Sequence, residues 1–331
     1  MRYTFFRPPS AMMPPPSVPS IQPPSVVFSA GSRPSGGPAA IAVGNFDGVH
    51  LGHAAIVGRL VELAGRLGVP TGVLTFDPHP ARILRPESAP IPLTTPGRRA
   101  ELLAALGVDE VLVQPVDAAL VALEAEAFYD GVLRGRLQAA GLVEGGDFHF
   151  GASRRGDVAL LSRLCAADGI PLEIVEPVAR DGESVSSSRL RSLVAAGRIR
   201  EAASMLTADY RIRGTVIEGA RRGRTIGFPT ANLAGIATLL PADGVYAARA
   251  LIAGQNPLPA AVHIGPNVSF GETATSVEVH IIGWSGNLYG SALDVDFLDR
   301  LRETRRFASV DEVKAQLTLD VALASSIATA T

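Results

Sequence analysis

The sequence pattern changes its period near Ala208, and this change constrains the fold more than any other feature of the chain. From Ala39 to about Ala208, short apolar runs alternate with amphipathic stretches of helical spacing, whereas after Tyr210 short β-rich runs are separated by Gly, Pro and Asn. Strands that alternate with helices predict a parallel, doubly wound α/β sheet, and short, closely spaced strands predict a compact antiparallel β-barrel. We therefore expect an α/β domain over 39–208 and an all-β domain over 209–331.

The apolar spacing gives each domain a set of expected elements. The first domain is expected to contain strands over 40–43, 71–76, 110–113 and 172–175, and helices over 53–67, 96–106, 122–138 and 188–196. The second is expected to contain strands over 211–217, 245–252, 260–264 and 276–282. A helix over 310–327, with Ser309 as its N-cap, should close the chain.

The first 40 residues contain ten prolines, three arginines and no acidic residue. Because proline fixes φ and removes a backbone donor, residues 1–38 are expected to form a disordered or polyproline-II-like extension. A transit peptide would also contain arginine and serine and be poor in acidic residues, so this alternative stays open. The stretch lacks the apolar core of a secretory signal.

Only one of the 30 basic residues is a lysine, which excludes a large class of nucleotide-binding proteins. A Walker A loop needs Gly-Lys-Ser/Thr, whereas Lys314 lies in Val-Lys-Ala. A net charge of −2 argues against a protein that coats nucleic acid. The single cysteine, Cys165, excludes a disulfide framework and fits a reducing compartment. No apolar run approaches the ~18 residues that span a bilayer, so we expect a cytoplasmic protein without nucleic-acid or membrane partners.

The segment from Gly44 to His53, Gly-Asn-Phe-Asp-Gly-Val-His-Leu-Gly-His, follows an expected strand and leads into an expected helix. Glycines at such a turn let the backbone approach a ligand closely, and a helix N-terminus offers free N–H groups to phosphate. His50 and His53 can both face that anion and stabilise charge on a phosphoryl group. A metal pair or a packed surface turn would give the same pattern.

A second phosphate signal is the run Val185-Ser-Ser-Ser-Arg-Leu-Arg191. Ser186, Ser187 and Ser188 at a helix start can present hydroxyls and amides to an anion, and arginine adds a fork suited to phosphate oxygens. An ordinary serine cap with solvated arginines is the alternative. Together with the histidine turn the phosphate interpretation is favoured, because strand-to-helix turns of an open sheet gather at its carboxyl edge.

Two further turns place an aromatic side chain beside a polar group. They contain Phe76 and Pro78 in the first case and Asp147 and Phe148 in the second. At the carboxyl edge of a sheet, such a pair could hold a planar ring together with a ribose or an amide group. A packed aromatic under a loop explains either turn equally well.

The β-rich half carries a glycine-spaced loop that could bind phosphates without lysine. Gly223, Arg224 and Gly227 precede Thr230 and Asn232, which face one side of an extended segment because they are two residues apart. Hydroxyl and amide oxygens suit a hard cation such as Mg²⁺, although a β-turn cluster with local backbone bonds would contain the same residues.

A single carboxylate, Glu278, lies among apolar residues of an expected strand. By alternation it is either solvent-facing or functional. If it accepted a hydroxyl proton, it would activate a nucleophile for attack on a phosphate.

Taken together, the motifs at 44–53, 75–80, 146–157, 186–191 and 223–232 resemble the prokaryotic-type bifunctional riboflavin kinase/FMN adenylyltransferase family, also called FAD synthetase. The resemblance covers about residues 39–327. It implies a Rossmann-like nucleotidyltransferase domain of the HxGH superfamily, followed by a small β-barrel kinase domain with a C-terminal helix. It further implies ATP-dependent phosphorylation of riboflavin to FMN, and adenylylation of FMN to FAD with release of pyrophosphate.

The resemblance also implies roles for individual residues. Catalysis is implied for His50 and His53 in adenylyl transfer and for Glu278 as the base of the kinase reaction, and Mg²⁺ binding for Thr230 and Asn232. Flavin contacts are implied for Phe76, Pro78, Asp147 and Phe148. ATP or phosphate contacts are implied for Gly44, Asn45, Phe46, Asp47, Gly52, Ser186, Ser187, Ser188, Arg191, Gly223, Arg224, Gly227, Thr230 and Asn232.

Three positions depart from the family pattern. Ser188 replaces the usual threonine, and Gly283-Trp284 replaces an acidic residue after the glutamate. The run His263–Gly271 stands where the family has Asn-Ile-Gly followed by Pro-Thr-Phe-Gly. The last two changes motivate an alternative, a monofunctional FMN adenylyltransferase with a weak or inactive kinase domain. A non-catalytic flavin-binding regulator is a further alternative.

Overall fold

A computed structural model describes residues 37–219, 223, 226–266 and 274–330, and the backbone of residues 25–29. The chain forms two compact units. Within the described residues, the first unit comprises everything up to Ile91 together with Thr95–Val185, and the second comprises Pro92–Thr94 and everything from Ser186 onward.

The first unit is built on a six-stranded sheet of order β1-β4-β3-β2-β5-β8. Its strands are β1 (Ser25–Ser29), β2 (Ala39–Val43), β3 (Thr71–Asp77), β4 (Glu110–Pro115), β5 (Ala139–Gly145) and β8 (Leu172–Val175). All of these pairs are parallel except the antiparallel pairing of β1 with β4. Four two-residue strands form two separate antiparallel pairs, β6 (His149–Phe150) with β7 (Gly156–Asp157) and β9 (Ala179–Arg180) with β10 (Glu183–Ser184).

Both faces of this sheet are buried, which explains why β2 reads as a continuous apolar run. Ile41 and Val43 belong to one apolar cluster, whereas Ala40 and Ala42 belong to another on the opposite face. The helices are α1 (Leu51–Leu67), α2 (Ala81–Leu84), α3 (Pro96–Ala105), α4 (Ala118–Val121), α5 (Ala125–Phe128), a π-helical turn Tyr129–Arg136, and α6 (Val158–Asp168). The predicted doubly wound α/β fold is confirmed.

Besides several pieces of four residues or fewer, four elements of the first unit differ from expectation. The sequence predicted no strand in residues 1–38, but β1 adds an edge strand there, and β5 and α6 were not predicted. The helix predicted over 122–138 was wrong in its bounds, because the chain is helical over α4 and then interrupted before α5. Asp117 caps α4 by accepting the backbone N–H of Leu120 at 2.8 Å, which starts a helix earlier than the apolar spacing indicated.

The second unit contains a closed antiparallel barrel of order β11-β12-β15-β14-β13-β16, as predicted. Its strands are β11 (Tyr210–Ile217), β12 (Ala231–Ala234), β13 (Gly244–Leu251), β14 (Leu258–Gly265), β15 (Ser276–Ile281) and β16 (Ala292–Arg302). The sequence prediction omitted β12 and β16. The strand β16 pairs with both β11 and β13 and so closes the barrel. The helices are α7 (Ser187–Ala195), α8 (Ile199–Ala203) and α9 (Val310–Ala330).

The C-terminal helix begins at the predicted cap. Ser309 Oγ accepts the backbone N–H of Glu312 at 3.2 Å, and the Glu312 carboxylate accepts the N–H of Ala308 at 3.0 Å. Ala324 and Ala328 of α9 then pack with Ala247 and Leu298 of the barrel. The helix therefore covers part of the barrel's outer surface.

The compact units divide between Val185 and Ser186, whereas the change of sequence period predicts a boundary near Ala208. Arg200 of α8 forms an ion pair with Asp299 of β16, which ties the short helices to the barrel. In the described part of the chain, no helix is long and apolar enough to cross a membrane.

Candidate functional site

The turn between β2 and α1 carries the predicted glycine and histidine motif. Phe46 and Val49 adopt left-handed φ values of 47° and 42°, and both side chains are buried. A β-carbon on Gly44 would lie 3.1 Å from the Phe46 ring, so a side chain there would press on that ring. The turn is thus held in a conformation that ordinary residues rarely adopt, which is common where a backbone binds a ligand.

His50 and His53 form a reciprocal cap at the start of α1. His50 Nδ1 accepts the backbone N–H of His53 at 3.4 Å, and His53 Nδ1 accepts that of His50 at 3.3 Å. The two rings stack with centroids 3.7 Å apart. Because both Nδ1 atoms act as acceptors, we assign the proton of each neutral ring to Nε2.

The environment of His53 keeps its ring neutral. Burial lowers the pKa of His53 well below its usual value, and the nearby His50 and Arg99 lower it further. An uncharged ring cannot act as a fixed cation toward phosphate. It can still donate a hydrogen bond from Nε2, so the chemistry available at this helix start is hydrogen-bond donation to an anion.

A buried polar network supports the turn from below. Arg99 of α3 donates from Nη1 to Thr75 Oγ1 at 2.7 Å and to the Phe76 carbonyl at 3.1 Å, and its Nη2 lies 3.7 Å from Asp47 Oδ1. Thr75 in turn donates to the carbonyl of Asn45 at 2.9 Å. Arg99 and Asp47 are only 5% and 2% exposed.

This network changes the interpretation of Asp47 and adds a residue that sequence reasoning missed. The Asp47 carboxylate is buried and lies near the Arg99 guanidinium, so it supports the loop from within the protein. Arg99 carried no motif in the sequence. The only signal in the sequence is an arginine within an amphipathic helix. A solvent-exposed arginine gives the same pattern.

A second buried acid lies at the same end of the sheet. Glu144 of β5 accepts the backbone N–H of Val43, the last residue of β2, at 2.9 Å. Burial raises the pKa of Glu144 well above its usual value, and the hydrogen bond from Val43 opposes that shift only in part. The buried Glu144 carboxyl group therefore fixes the strand end from which the histidine turn departs.

The residues expected to contact flavin lie at ends of parallel strands or directly after them. Phe76 is the penultimate residue of β3, just before the cis Asp77–Pro78 bond, and its ring packs against the buried core. Asp147 is exposed after β5. Phe148 stacks on Phe150, with ring centroids 5.5 Å apart. The structure thus places these residues at the carboxyl edge, where open α/β sheets bind ligands.

The predicted serine cluster begins α7 in the second unit. Ser186 is the N-cap and accepts the backbone N–H of Arg189 at 3.3 Å. Ser187 and Ser188 occupy the first helical positions, and Arg191 lies one turn further on. The serine cap, the simpler interpretation of this motif, is therefore present, and the Ser186 hydroxyl uses one lone pair in it.

In the barrel, three predicted residues of the second site come together. Asn232 of β12 pairs directly with Glu278 of β15, so their side chains lie on one face. Thr230 donates from its hydroxyl to Glu278 Oε2 at 3.1 Å. Ser276, which sequence reasoning missed, donates toward Glu278 Oε1 at 3.4 Å. Period-two spacing from Glu278 would have placed Ser276 on the same face.

The glycines before Thr230 approach this cluster closely. A β-carbon on Gly219 would lie 2.2 Å from Asn232 Nδ2, and one on Gly223 would lie 2.2 Å from the Phe228 carbonyl. Phe228 donates its N–H back to the Gly223 carbonyl at 2.8 Å. Gly227 has a φ of 93°, which favours glycine. The predicted contact of Arg224 lies outside the described residues.

His280 fixes the other side of the same segment. Its Nδ1 donates to the Pro229 carbonyl at 2.8 Å, and its ring contacts Phe228 edge-on with centroids 5.6 Å apart. These contacts set the position of the residue that follows, Thr230, relative to β15.

The architecture alone defines a class of protein. It joins a doubly wound α/β unit, of the kind that binds nucleotides at the carboxyl ends of its strands, to a closed antiparallel barrel. The family model described as FAD synthetase matches residues 33–189, and the one described as riboflavin kinase matches residues 206–328.

Curated relatives match almost from end to end. A bifunctional riboflavin kinase/FMN adenylyltransferase of Pseudomonas fluorescens is 39% identical, covering 86% of this chain and 92% of the relative. The protein of the same description from Escherichia coli strain K12 is 36% identical, covering 85% and 90%. The chain therefore belongs to the bifunctional riboflavin kinase/FMN adenylyltransferase family. The predicted bifunctional enzyme is confirmed in preference to the alternative of a monofunctional FMN adenylyltransferase.

A solved structure shares the fold. A crystal structure titled as a macrolide-efflux protein from Streptococcus pneumoniae matches with a TM-score of 0.78 at 31% identity. The match covers 88% of this chain and 95% of that one.

Proposed function

We propose that the two reactions are divided between the two kinds of fold. The α/β unit transfers an adenylyl group from ATP to FMN, with release of pyrophosphate. The barrel transfers the γ-phosphoryl group of ATP to the 5′-hydroxyl of riboflavin. The separate matches of the two family models support this division. The substrates are riboflavin, FMN and ATP.

In adenylyl transfer, His50 and His53 donate hydrogen bonds from Nε2 to the phosphate oxygens of ATP. The reciprocal cap at the start of α1 carries this assignment, since it occupies both Nδ1 atoms with backbone N–H groups. An FMN phosphate oxygen attacks the α-phosphorus, the bond to the bridging oxygen breaks, and pyrophosphate leaves. Negative charge grows on the oxygens in that step, and fixed donors stabilise it more than they stabilise the ground state.

The remaining assignments for adenylyl transfer follow from the type of each residue and from its position in its own element. Ser187, Ser188 and Arg191 hold the β- and γ-phosphates at the start of α7, where free backbone N–H groups favour anions. Phe76, Pro78, Asp147 and Phe148 contact the flavin, and their location at the carboxyl edge supports this role.

In riboflavin phosphorylation, Glu278 accepts the proton of the 5′-hydroxyl as that oxygen attacks the γ-phosphorus and ADP leaves. The hydrogen bond from Thr230 to Glu278, with Asn232 directly opposite on β12, is the observation that carries this assignment. It groups one base with two neutral oxygen ligands on one face of the barrel.

The donor set of Thr230 and Asn232 fits Mg²⁺, because a hydroxyl and an amide oxygen are hard ligands. The close approach of Gly219 to Asn232 leaves no room for a larger residue beside this amide. When bound with ATP, the ion supplies positive charge that offsets charge on the phosphate oxygens.

A time course with riboflavin and Mg-ATP tests the proposal. FMN should accumulate first and FAD should follow, and catalytic amounts of protein should turn over many equivalents. Formation of FAD from FMN but never from riboflavin would contradict the assignment of the barrel.

A further inference from the structure

Thr230 lies just outside the backbone ladder that holds β12 against β15. That ladder begins with the pair Ala231–Val279. Extending the antiparallel register by one residue places Thr230 opposite His280. Ordering a residue costs conformational entropy, so a residue beyond the end of a strand needs another contact to keep a defined position beside the neighbouring strand.

His280 of β15 supplies such a contact through its side chain. Its Nδ1 lies 2.8 Å from the carbonyl oxygen of Pro229, the residue before Thr230. A carbonyl oxygen only accepts hydrogen bonds, so Nδ1 carries the proton and donates it. Proline has no backbone N–H, so its carbonyl is the one main-chain group through which a neighbouring strand can hold it.

The bond to the Pro229 carbonyl restrains Thr230 as well, because a peptide group is planar. The carbonyl oxygen of Pro229 and the backbone nitrogen of Thr230 belong to the same plane. A donor that fixes the oxygen therefore restrains the plane from which the Thr230 side chain departs. Threonine is β-branched and stiff at χ1, so the direction of its hydroxyl depends on this plane and hence on the His280 ring.

Glu278 and His280 act on this segment from one face of β15. They are two residues apart, and the alternate residues Val277 and Val279 are buried on the other face. Glu278 accepts the Thr230 hydroxyl at 3.1 Å, and His280 holds the preceding carbonyl. A hydroxyl that gives its proton to a carboxylate keeps its lone pairs for a cation.

The His280 ring is itself held by Phe228. The two rings meet edge-on, with centroids 5.6 Å apart. Phe228 belongs to a closed turn, because its N–H donates to the Gly223 carbonyl at 2.8 Å. Two different contacts of one side chain therefore join β15 to the segment that leads into Thr230.

We propose that His280 is a positioning residue for riboflavin phosphorylation. Through Nδ1–H it holds the peptide plane between Pro229 and Thr230, so that the Thr230 hydroxyl meets both the Glu278 carboxylate and the magnesium ion that accompanies ATP. This role rests on the proposed functions of Thr230 and Glu278. In it, His280 touches none of the reacting atoms and transfers no proton.

A matched pair of amide substitutions in the full-length protein tests which ring nitrogen matters. The amide nitrogen introduced by H280N can occupy the position of Nδ1, whereas the one introduced by H280Q reaches only the position of Nε2. We expect H280Q to lower FMN formation about five- to tenfold and to raise the Mg²⁺ concentration for half-maximal rate, because one hydrogen bond is lost. H280N should stay within about twofold of the native rate. FMN-to-FAD conversion by the same proteins is the internal control and should not change.

A third variant separates the hydrogen bond from the ring contact. H280F keeps a ring beside Phe228 but has no donor, so it should behave like H280Q. A native rate in H280F would overturn the proposal. The reversed order, with H280Q active and H280N impaired, would do the same, since it would place the function on Nε2.

A double substitution shows whether His280 acts through Thr230. In a T230V background, H280Q should lower the residual rate of FMN formation no further. An additive loss would refute the role of His280 and leave that of Thr230 intact. A native rate in T230V alone would instead contradict the proposed function of Thr230, and the role of His280 would fall with it.

The hydrogen bond can also be detected without magnesium, nucleotide or turnover. In protein with ¹⁵N-labelled histidine rings, the resonances that H280N removes belong to His280. In alkaline buffer, where free histidine is neutral, their chemical shifts should show the proton on Nδ1, and a proton on Nε2 would contradict the proposal. Thermal unfolding checks that each variant is folded, and H280F replaces H280Q if the latter is unstable.

Discussion

His50 and His53 hold each other in place, since Nδ1 of each ring accepts the backbone N–H of the other at 3.4 and 3.3 Å. This geometry satisfies two backbone donors that a helix start would otherwise leave without intrahelical partners. It also leaves the proton of each neutral ring on Nε2. The cap and the proposed donation to ATP thus use opposite edges of the same two side chains.

The two edges of His53 can be separated by substitution. Asparagine offers an oxygen at the position of Nδ1 but has no group that reaches Nε2, whereas alanine offers neither. We expect H53N to retain the thermal stability of the native protein and to lower FMN adenylylation about 100-fold or more. H53A should lose the same activity and in addition about 1 kcal/mol of stability.

Riboflavin phosphorylation by the same variants controls for damage to the whole chain. That rate should be unchanged in both. Near-native FAD formation by H53N would remove the Nε2 donor from the mechanism.

Glu278 is expected to serve the kinase reaction alone. E278Q keeps the size of the side chain but cannot accept a proton, so FMN formation should fall about 100-fold or more. Conversion of added FMN to FAD should persist, as measured by separating the flavins after incubation with Mg-ATP. Loss of both reactions would contradict separate sites.

The parts of the fold that were predictable from sequence are those with a strong period. β2 reads as an unbroken apolar run because the sheet is covered on both faces, and α1 shows an apolar stripe at helical spacing. The strand β16 was missed although it closes the barrel. It carries Asp294 and Asp296, which are buried only because Arg211 and Arg213 of β11 pair with them across the sheet. A carboxylate whose partner is about 80 residues away looks like a surface residue in a single sequence.

The residues of the candidate site also fall into those that the sequence predicts and those that it does not. Motif residues such as His53, Thr230 and Glu278 were predictable because their chemistry and local spacing are visible in the sequence. Arg99 and Glu144 were not, because each acquires its role from burial next to a distant strand. What the sequence could not reveal was the set of buried polar groups that hold the turn in place.

Burial of Glu144 makes the stability of the α/β unit depend on pH. Its folded-state pKa is raised well above the ordinary value of 4.5, so its contribution is complete below about pH 4.5 and is lost as the pH rises through the raised value. E144Q keeps an acceptor for the Val43 N–H and does not ionise. Thermal unfolding of both proteins should show E144Q gaining relative to the native protein as the pH rises above 4.5, and a constant difference would argue against burial as the cause.

Replacing one partner of the Arg99–Asp47 ion pair should destabilise the protein more than replacing both. R99M leaves the Asp47 carboxylate buried without this partner, and we expect a loss of about 3 kcal/mol together with weaker FMN adenylylation. The double variant D47N/R99M removes both charges and should recover part of that stability. Urea unfolding and the two activity assays provide the test, with riboflavin phosphorylation as control. A double variant no more stable than R99M would mean that Arg99 acts mainly through Thr75.

The Thr230 hydroxyl is both the proposed metal ligand and the donor to the proposed base. Two substitutions of Thr230 should therefore differ strongly in their effect on FMN formation. T230S keeps the hydroxyl that donates to Glu278 at 3.1 Å, whereas T230V has the same shape without it. We expect T230V to lower FMN formation by about 10–100-fold and to require more Mg²⁺ for half-maximal rate, because a hydrogen bond to a charged group and a hard ligand are both lost. T230S should remain within a few-fold of the native rate. FMN formation measured over a magnesium series in all three proteins decides the matter, since an unaltered magnesium requirement in T230V would leave Thr230 as a partner of Glu278 only.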